Sequence, residues 1–211
     1  MFEALRALAA SIFLLAPIPV TTAVQVERFS SIELPKGGHV ILGPSATQRV
    51  TLVRGSLDYT RLRVTDRGAL IVDKCYRKCP RGYRLELEIL SPNVSRISLA
   101  NGGRVESRGS FARQRDLAIA VAHGGTIDVR SIVAQRVVAT VEQGGRILTV
   151  PQTSLVASVS HGGVITFWGD GQVTSSIEHG GVVHKGAAAE LDLPLSEIGL
   201  PILSHRTKGG R

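Results

Sequence analysis

A chain of 211 residues, with 25 Lys and Arg against 17 Asp and Glu, has the length of one domain or one capped repeat array and a formal net charge of +8. That balance draws a protein towards anionic partners such as acidic polysaccharide, lipid headgroups or other cell-envelope polymer. Aromatic residues make up only 4% and do not interleave with the charge, which argues against specific nucleic-acid binding on stacking platforms.

In chain order, the first feature is an export signature. Met1–Arg6 is a short n-region, Ala7–Leu15 an apolar run, and Thr21-Thr22-Ala23 supplies the small residues a signal peptidase accepts. A cleaved signal peptide is therefore expected over residues 1–23, with the mature protein exported to the periplasm or the cell surface. No later stretch approaches the ~20 apolar residues of a transmembrane helix.

Residues 24–94 read as short strands separated by turns. Ile32-Glu33-Leu34 runs into Pro35-Lys36-Gly37-Gly38, and Val50 and Leu52 share one side of Gln48–Val53. Leu62–Val64 and Leu70–Val72 flank Asp66-Arg67-Gly68 as a hairpin. Leu85, Leu87 and Ile89 alternate with Arg84, Glu86 and Glu88, a period of two with no helical period anywhere nearby. These strands form either a small antiparallel cap or the first coils of an array. Cys75 and Cys79 are the only cysteines; four residues apart in a turn, they are expected to pair as a disulfide in an oxidising compartment. Lys74, Arg77, Lys78, Arg81 and Arg84 make this the most concentrated basic stretch.

Residues 95–185 repeat. Asn101-Gly102-Gly103, His123-Gly124-Gly125, Gln143-Gly144-Gly145, His161-Gly162-Gly163 and His179-Gly180-Gly181 return at intervals of 18–22 residues. Two residues before each polar residue stand Leu99, Val121, Val141, Val159 and Ile177, and two after each second glycine stand Val105, Ile127, Ile147, Ile165 and Val183. The period of two continues backwards, so Leu155, Ala157 and Val159, and likewise Val173, Ser175 and Ile177, are expected on buried strand faces. The Gly-Gly pairs supply sharp turns. An all-β fold follows, either a parallel β-solenoid with the glycines at its corners or an antiparallel β meander with the glycines at hairpin turns. Columns of like residues in one phase favour the solenoid, where they stack on each other in successive coils.

The stretch Glu88–Leu99, with Ser91-Pro92-Asn93-Val94 at its centre and Gly102-Gly103 after it, resembles the GIN domain, the head domain of auto-transporter adhesins. The resemblance covers about residues 26–185. It implies a right-handed parallel β-helix on or near a bacterial cell surface, without an established enzymatic activity. The family's common Ser-Gly-x-Gly-Asp corner is absent: here the glycines are adjacent and follow Asn, His or Gln. Residues 24–185 accordingly read as one domain, and 186–211 as a cap on the last coil or a tail.

Three groups of side chains are candidates for chemistry. Arg104 and Arg146 share a repeat position within a basic set that includes Arg108, Arg113, Arg115, Arg130 and Arg136, suited to carboxylate or phosphate groups. By alternation Phe167 faces inward, which leaves Trp168 towards the surface as a sugar-stacking platform. His161 and His179 stand on adjacent coils and are the candidate metal ligands. The carboxylates Asp116, Asp128, Glu142, Asp170 and Glu178 are scattered along the repeat, so no acid pair is expected to converge as glycoside cleavage requires. The sequence thus favours an exported, non-enzymatic adhesion or binding module that needs no cofactor and contacts anionic glycan or another cell-envelope component. A polysaccharide-active enzyme and a periplasmic metal-binding protein are the alternatives. The oligomeric state is open.

Overall fold

The computed structural model describes residues 21–194. Residues 1–20 of the expected signal peptide and the basic end Lys208–Arg211 lie outside the described residues. The stretch before the repeat supplies β1 (Thr22–Val24), β2 (Ser31–Leu34), β3 (His39–Pro44), β4 (Arg49–Arg54), β5 (Thr60–Val64), β6 (Ala69–Lys74) and β7 (Glu86–Ser91). The repeat supplies β8 (Arg96–Ala100), β9 (Arg104–Ser107), β10 (Gln114–Ala122), β11 (Thr126–Glu142), β12 (Arg146–Ser160), β13 (Val164–Phe167), β14 (Gln172–Glu178) and β15 (Val182–Lys185). No helix among the described residues is long and apolar enough to cross a membrane.

The fold is all-β, with a β-solenoid of about four turns. Parallel pairing of β8 with β10, β10 with β11, β11 with β12 and β12 with β14 excludes the antiparallel meander. Both apolar columns stack in register: Leu99, Val121, Val141, Val159 and Ile177 on one sheet, and Val105, Ile127, Ile147, Ile165 and Val183 on the other. Between the sheets all of these but Ile177 join one continuous core, with Val183 partly buried at its edge. β11 is one long strand that serves both sheets; its register against β12 shifts between Asp128 and Val133, where the chain bends from one sheet to the other.

The Gly-Gly corners are built from consecutive left-handed residues. Asn101, His123, Gln143, His161 and His179 all have φ between 53° and 59°, a region Asn and His tolerate better than branched residues. The two glycines that follow are required for different reasons. Gly144 has φ +82° with open space where a Cβ would lie, whereas a Cβ on Gly145 (φ +118°) would sit 2.5 Å from Val121 Cγ1 of the preceding coil. The corners are tied to one another, since the N–H of His123 donates to Glu142 O and that of Gln143 to Ser160 O, both at 3.0 Å.

The first strands are both coil and cap. β2 and β3 form a coil whose β2 pairs in parallel with β8 on one side and β6 on the other, while β3 pairs with β9 and β7. Beyond these, β4 runs antiparallel on β7, β1 antiparallel on β4, and β5 antiparallel on β6. Residues 45–91 therefore make an excursion outside the first coil before the chain crosses to continue the array on its other side.

The far end differs from expectation. Val173 and Ile177 continue an inward column whose members Leu155 and Val159 are 0% and 1% exposed, yet they are 37% and 47% exposed themselves. They belong to the last coil, and nothing among the described residues stacks beyond it. After β15 the chain folds back over the outer face of the second sheet through a 3-10 turn at Ala188–Glu190, and Leu191 and Leu193 pack on Leu148, Val150 and Trp168. This segment straps a side of the solenoid.

Candidate functional site

A strongly charged cleft lies where the first corner meets the cap. Register places Glu86, His39 and Arg104 side by side on β7, β3 and β9, and Arg54 on β4 opposite Glu86. Lys74 closes β6, and Tyr83 and Arg84 lie in the loop leading into β7. With the corner backbones of Gly37, Gly38, Asn101 and Gly103, these side chains line a cleft of about 360 Å³. Its described lining holds four permanent cations, Arg54, Lys74, Arg84 and Arg104, against one carboxylate, Glu86.

The surroundings hold these groups in place. Asn101 Nδ2 donates to Pro35 O at 2.8 Å, joining one corner to the next. Tyr83 Oη receives the Ser56 N–H at 2.9 Å and donates to Ser56 O at 3.0 Å, which anchors the loop carrying Arg84. Lys36 reaches Asp73 at 2.9 Å beside the Cys75–Cys79 disulfide, which closes its turn with a Cα separation of 5.3 Å. Arg104 Nη2 pairs with Glu106 at 2.9 Å, and Arg108 Nη2 reaches the same carboxylate at 2.6 Å. His39 Nε2 approaches Glu106 at 3.4 Å but without hydrogen-bond geometry, and Arg104 Nε is buried without an acceptor among the described residues. One carboxylate thus serves two arginines, and the cleft keeps a surplus of donors.

The family model described as "Putative auto-transporter adhesin, head GIN domain" matches residues 28–148, the capped end and the first corners. This chain belongs to the GIN-domain family. Among solved structures similar to it, "a putative adhesin" from Bacteroides fragilis NCTC 9343 is 18% identical, with 79% of this chain and 95% of that chain covered and a TM-score of 0.43. Another "putative adhesin", from Parabacteroides merdae ATCC 43184, is 12% identical with coverage of 80% and 96% and a TM-score of 0.36. A "putative cell adhesion protein" from Clostridium sporogenes ATCC 15579 is 10% identical with coverage of 80% and 99% and a TM-score of 0.36. Among curated proteins nothing matches this sequence.

This GIN domain separates the residues singled out by sequence. Arg104, Thr126 and Arg146 do fall in one column, so the two arginines stand two coils apart, about 10 Å at ~4.8 Å per strand. Arg104 lines the cleft, whereas Arg146 lies towards the strap. Burial pushes the Arg146 guanidinium down from its ordinary pKa, and nearby Asp128 opposes that shift.

Trp168 is not a surface platform. It points away from the core as alternation requires, but the strap covers that outer face and leaves it 4% exposed, with Nε1 donating to Ala187 O at 2.8 Å. Arg130 likewise leaves the basic face: it pairs with Asp128 at 2.7 Å, lies 5.6 Å from the Trp168 ring, and donates to Glu190 O and Leu191 O at 2.9 and 2.7 Å. Arg136 is held by Asp116 through two bonds of 2.6 and 3.0 Å, and Arg113 and Arg115 line a separate groove beside Asp116. Asp170 pairs with Lys185 at 2.6 Å.

His161 and His179 stack with ring centroids 4.8 Å apart and planes 11° from parallel. Imidazole lone pairs lie in the ring plane, so near-parallel rings do not aim them at a common point between them. Among the described residues no group of three or more His, Cys, Asp or Glu is placed to hold a metal ion. The sequence flagged Lys74, Arg84 and Arg104 in different contexts and passed over Arg54. Only the packing of the 45–91 excursion against the first corner makes them neighbours.

Proposed function

We propose that this GIN domain is an exported, non-enzymatic adhesion module that holds acidic groups of an envelope or matrix polysaccharide in the cleft at its capped end. The observation that carries this reading is the convergence of Arg54, Lys74, Arg84 and Arg104 on one cleft with a single carboxylate in its lining. Guanidinium forks match carboxylates and sulfates in geometry, while the lysine adds a point charge that tolerates several poses. The cleft has the volume of one or two sugar units rather than of a long chain, so a polymer would cross it and present one acidic unit at a time. The family description supports adhesion, and the export signature supports a place outside the cytoplasm.

Binding of the mature chain to acidic and neutral glycans, measured at several salt concentrations, tests the proposal. Acidic glycans should bind, neutral ones should not, and affinity should fall with salt because the contacts lie near solvent. Arg84→Ala with Arg104→Ala should weaken binding about tenfold, the loss of two partly exposed charged contacts. Absence of salt-dependent binding, or binding indifferent to the double variant, would overturn it.

A further inference from the structure

We propose that two copies of this chain join tail to tail through β14, antiparallel about a two-fold axis at Ser175. β14 is the last strand of its sheet, and among the described residues it pairs with β12 alone. No strand among the described residues takes up the backbone donors and acceptors of its other edge, which makes that edge a template for another strand. The side chains that would have continued the core, Val173 and Ile177, stand 37% and 47% exposed beside that edge. Edge strands are commonly protected by lysine, proline or inward charge. Gln172–Glu178 contains no Lys, Arg or Pro, and its only charge is Glu178.

The sequence of β14 fits a second copy of itself. With Ser175 on the axis, an antiparallel pair sets Val173 against Ile177, Thr174 against Ser176 and Gln172 against Glu178. Apolar residues meet apolar residues across the gap, and the acid meets an amide donor rather than its own copy. A two-fold along the sheet normal also keeps both layers on their own sides, so the free edges of β15, which pairs only with β13 among the described residues, approach each other as well. The result is an isologous, closed contact.

Two other occupants fit less well. The opposite end of a second molecule is finished by the antiparallel strands β1, β4 and β5, and it offers no open parallel coil for head-to-tail stacking. The chain's own carboxy-terminal segment travels the wrong way: Glu190 and Leu191 lie at Arg130 on β11, and β12 and β13 separate that strand from β15.

Sedimentation equilibrium of the full mature chain over a wide concentration range tests this directly. The expected mass is twice that of the monomer. Val173→Lys with Ile177→Lys should raise the dissociation constant at least a hundredfold with the circular dichroism unchanged. Should that variant fail to fold, Ser175→Cys provides a second test, because it should oxidise to a disulfide-linked dimer while Cys75 and Cys79 remain paired with each other. A monomer at all concentrations, a dimer undisturbed by the lysines, or no cross-link through residue 175 would overturn the proposal. So would a monomer that dimerises only when truncated after Pro194, which would assign the edge to the chain's own end.

Discussion

At the amino-terminal end of the solenoid the outermost strands run antiparallel to the coils and carry Arg49, Arg54, Arg61 and Arg63, whereas at the carboxy-terminal end β14 is one more coil in the same register with Glu178 as its only charge. A repeat stops being sticky when its last strand no longer matches the others, and the antiparallel strands achieve that. One of them, β4, also gives Arg54 to the cleft, whose other cations come from the end of β6, the loop before β7 and the start of β9. Termination and the candidate site thus sit at one end, while at the other end the repeat's own surface is left uncovered by the described residues.

The contrast can be broken most forcefully in the core. Ile97→Ala removes a side chain that is 0% exposed beneath the cap, and should cost about 2–5 kcal/mol in chemical denaturation. Ile177→Ala, at 47% exposure in an equivalent strand, should cost less than about 1 kcal/mol in the monomer. Equal losses would mean that the open end is covered in solution. Next in size, Arg130→Ala leaves Asp128 buried without its partner and frees the strap, at a cost of about 3 kcal/mol. Trp168 is the only tryptophan, so a red-shifted and more readily quenched emission would report its release.

Within a corner the two glycines should separate. Gly145→Ala, which must push Val121 aside, should destabilise by about 2 kcal/mol or more, and Gly144→Ala, which strains only its own backbone, by about 1 kcal/mol. For the histidine stack we expect zinc to leave the melting temperature unchanged. A zinc-dependent rise abolished by His179→Ala would place a metal there instead. The smallest effect concerns Asp116, whose carboxyl is held below its ordinary pKa chiefly by the hydrogen bond from Arg136. A depressed carboxyl stabilises the fold above its unfolded pKa and loses that contribution as pH falls through the folded value. NMR titration should therefore show Arg136→Ala moving the Asp116 midpoint upward, with little change in stability at neutral pH because the pair is exposed.

What was legible in the sequence was whatever is local and repeated. The phase of Leu99, Val121 and Val141 identified the buried face, and the five corners set the coil interval, because each depends on a few consecutive residues. Trp168 was misplaced although its alternation was read correctly: the outward direction is local, but what lies outward is decided by residues 187–193, far along the chain and without periodicity. Val173 and Ile177 failed for the complementary reason, since the pattern records which way a side chain points and says nothing of whether another coil arrives to cover it. The cleft was hidden most deeply. Arg54, Lys74, Arg84 and Arg104 come from four segments, brought together by an excursion that reverses strand direction and leaves no mark in the repeat.

That excursion also sets the order in which the protein can assemble. The coil of β2 and β3 is completed on one side only when β6 and β7 exist and on the other only by β8 and β9, as in the pairing of His39 with Arg104. Every contact that seals it closes a long loop, and such closures are slow. Beyond residue 107 each new coil needs only the one just laid down. A chain emerging from its amino terminus would hold its first coil half-paired until that point and then zip forward through the remaining corners.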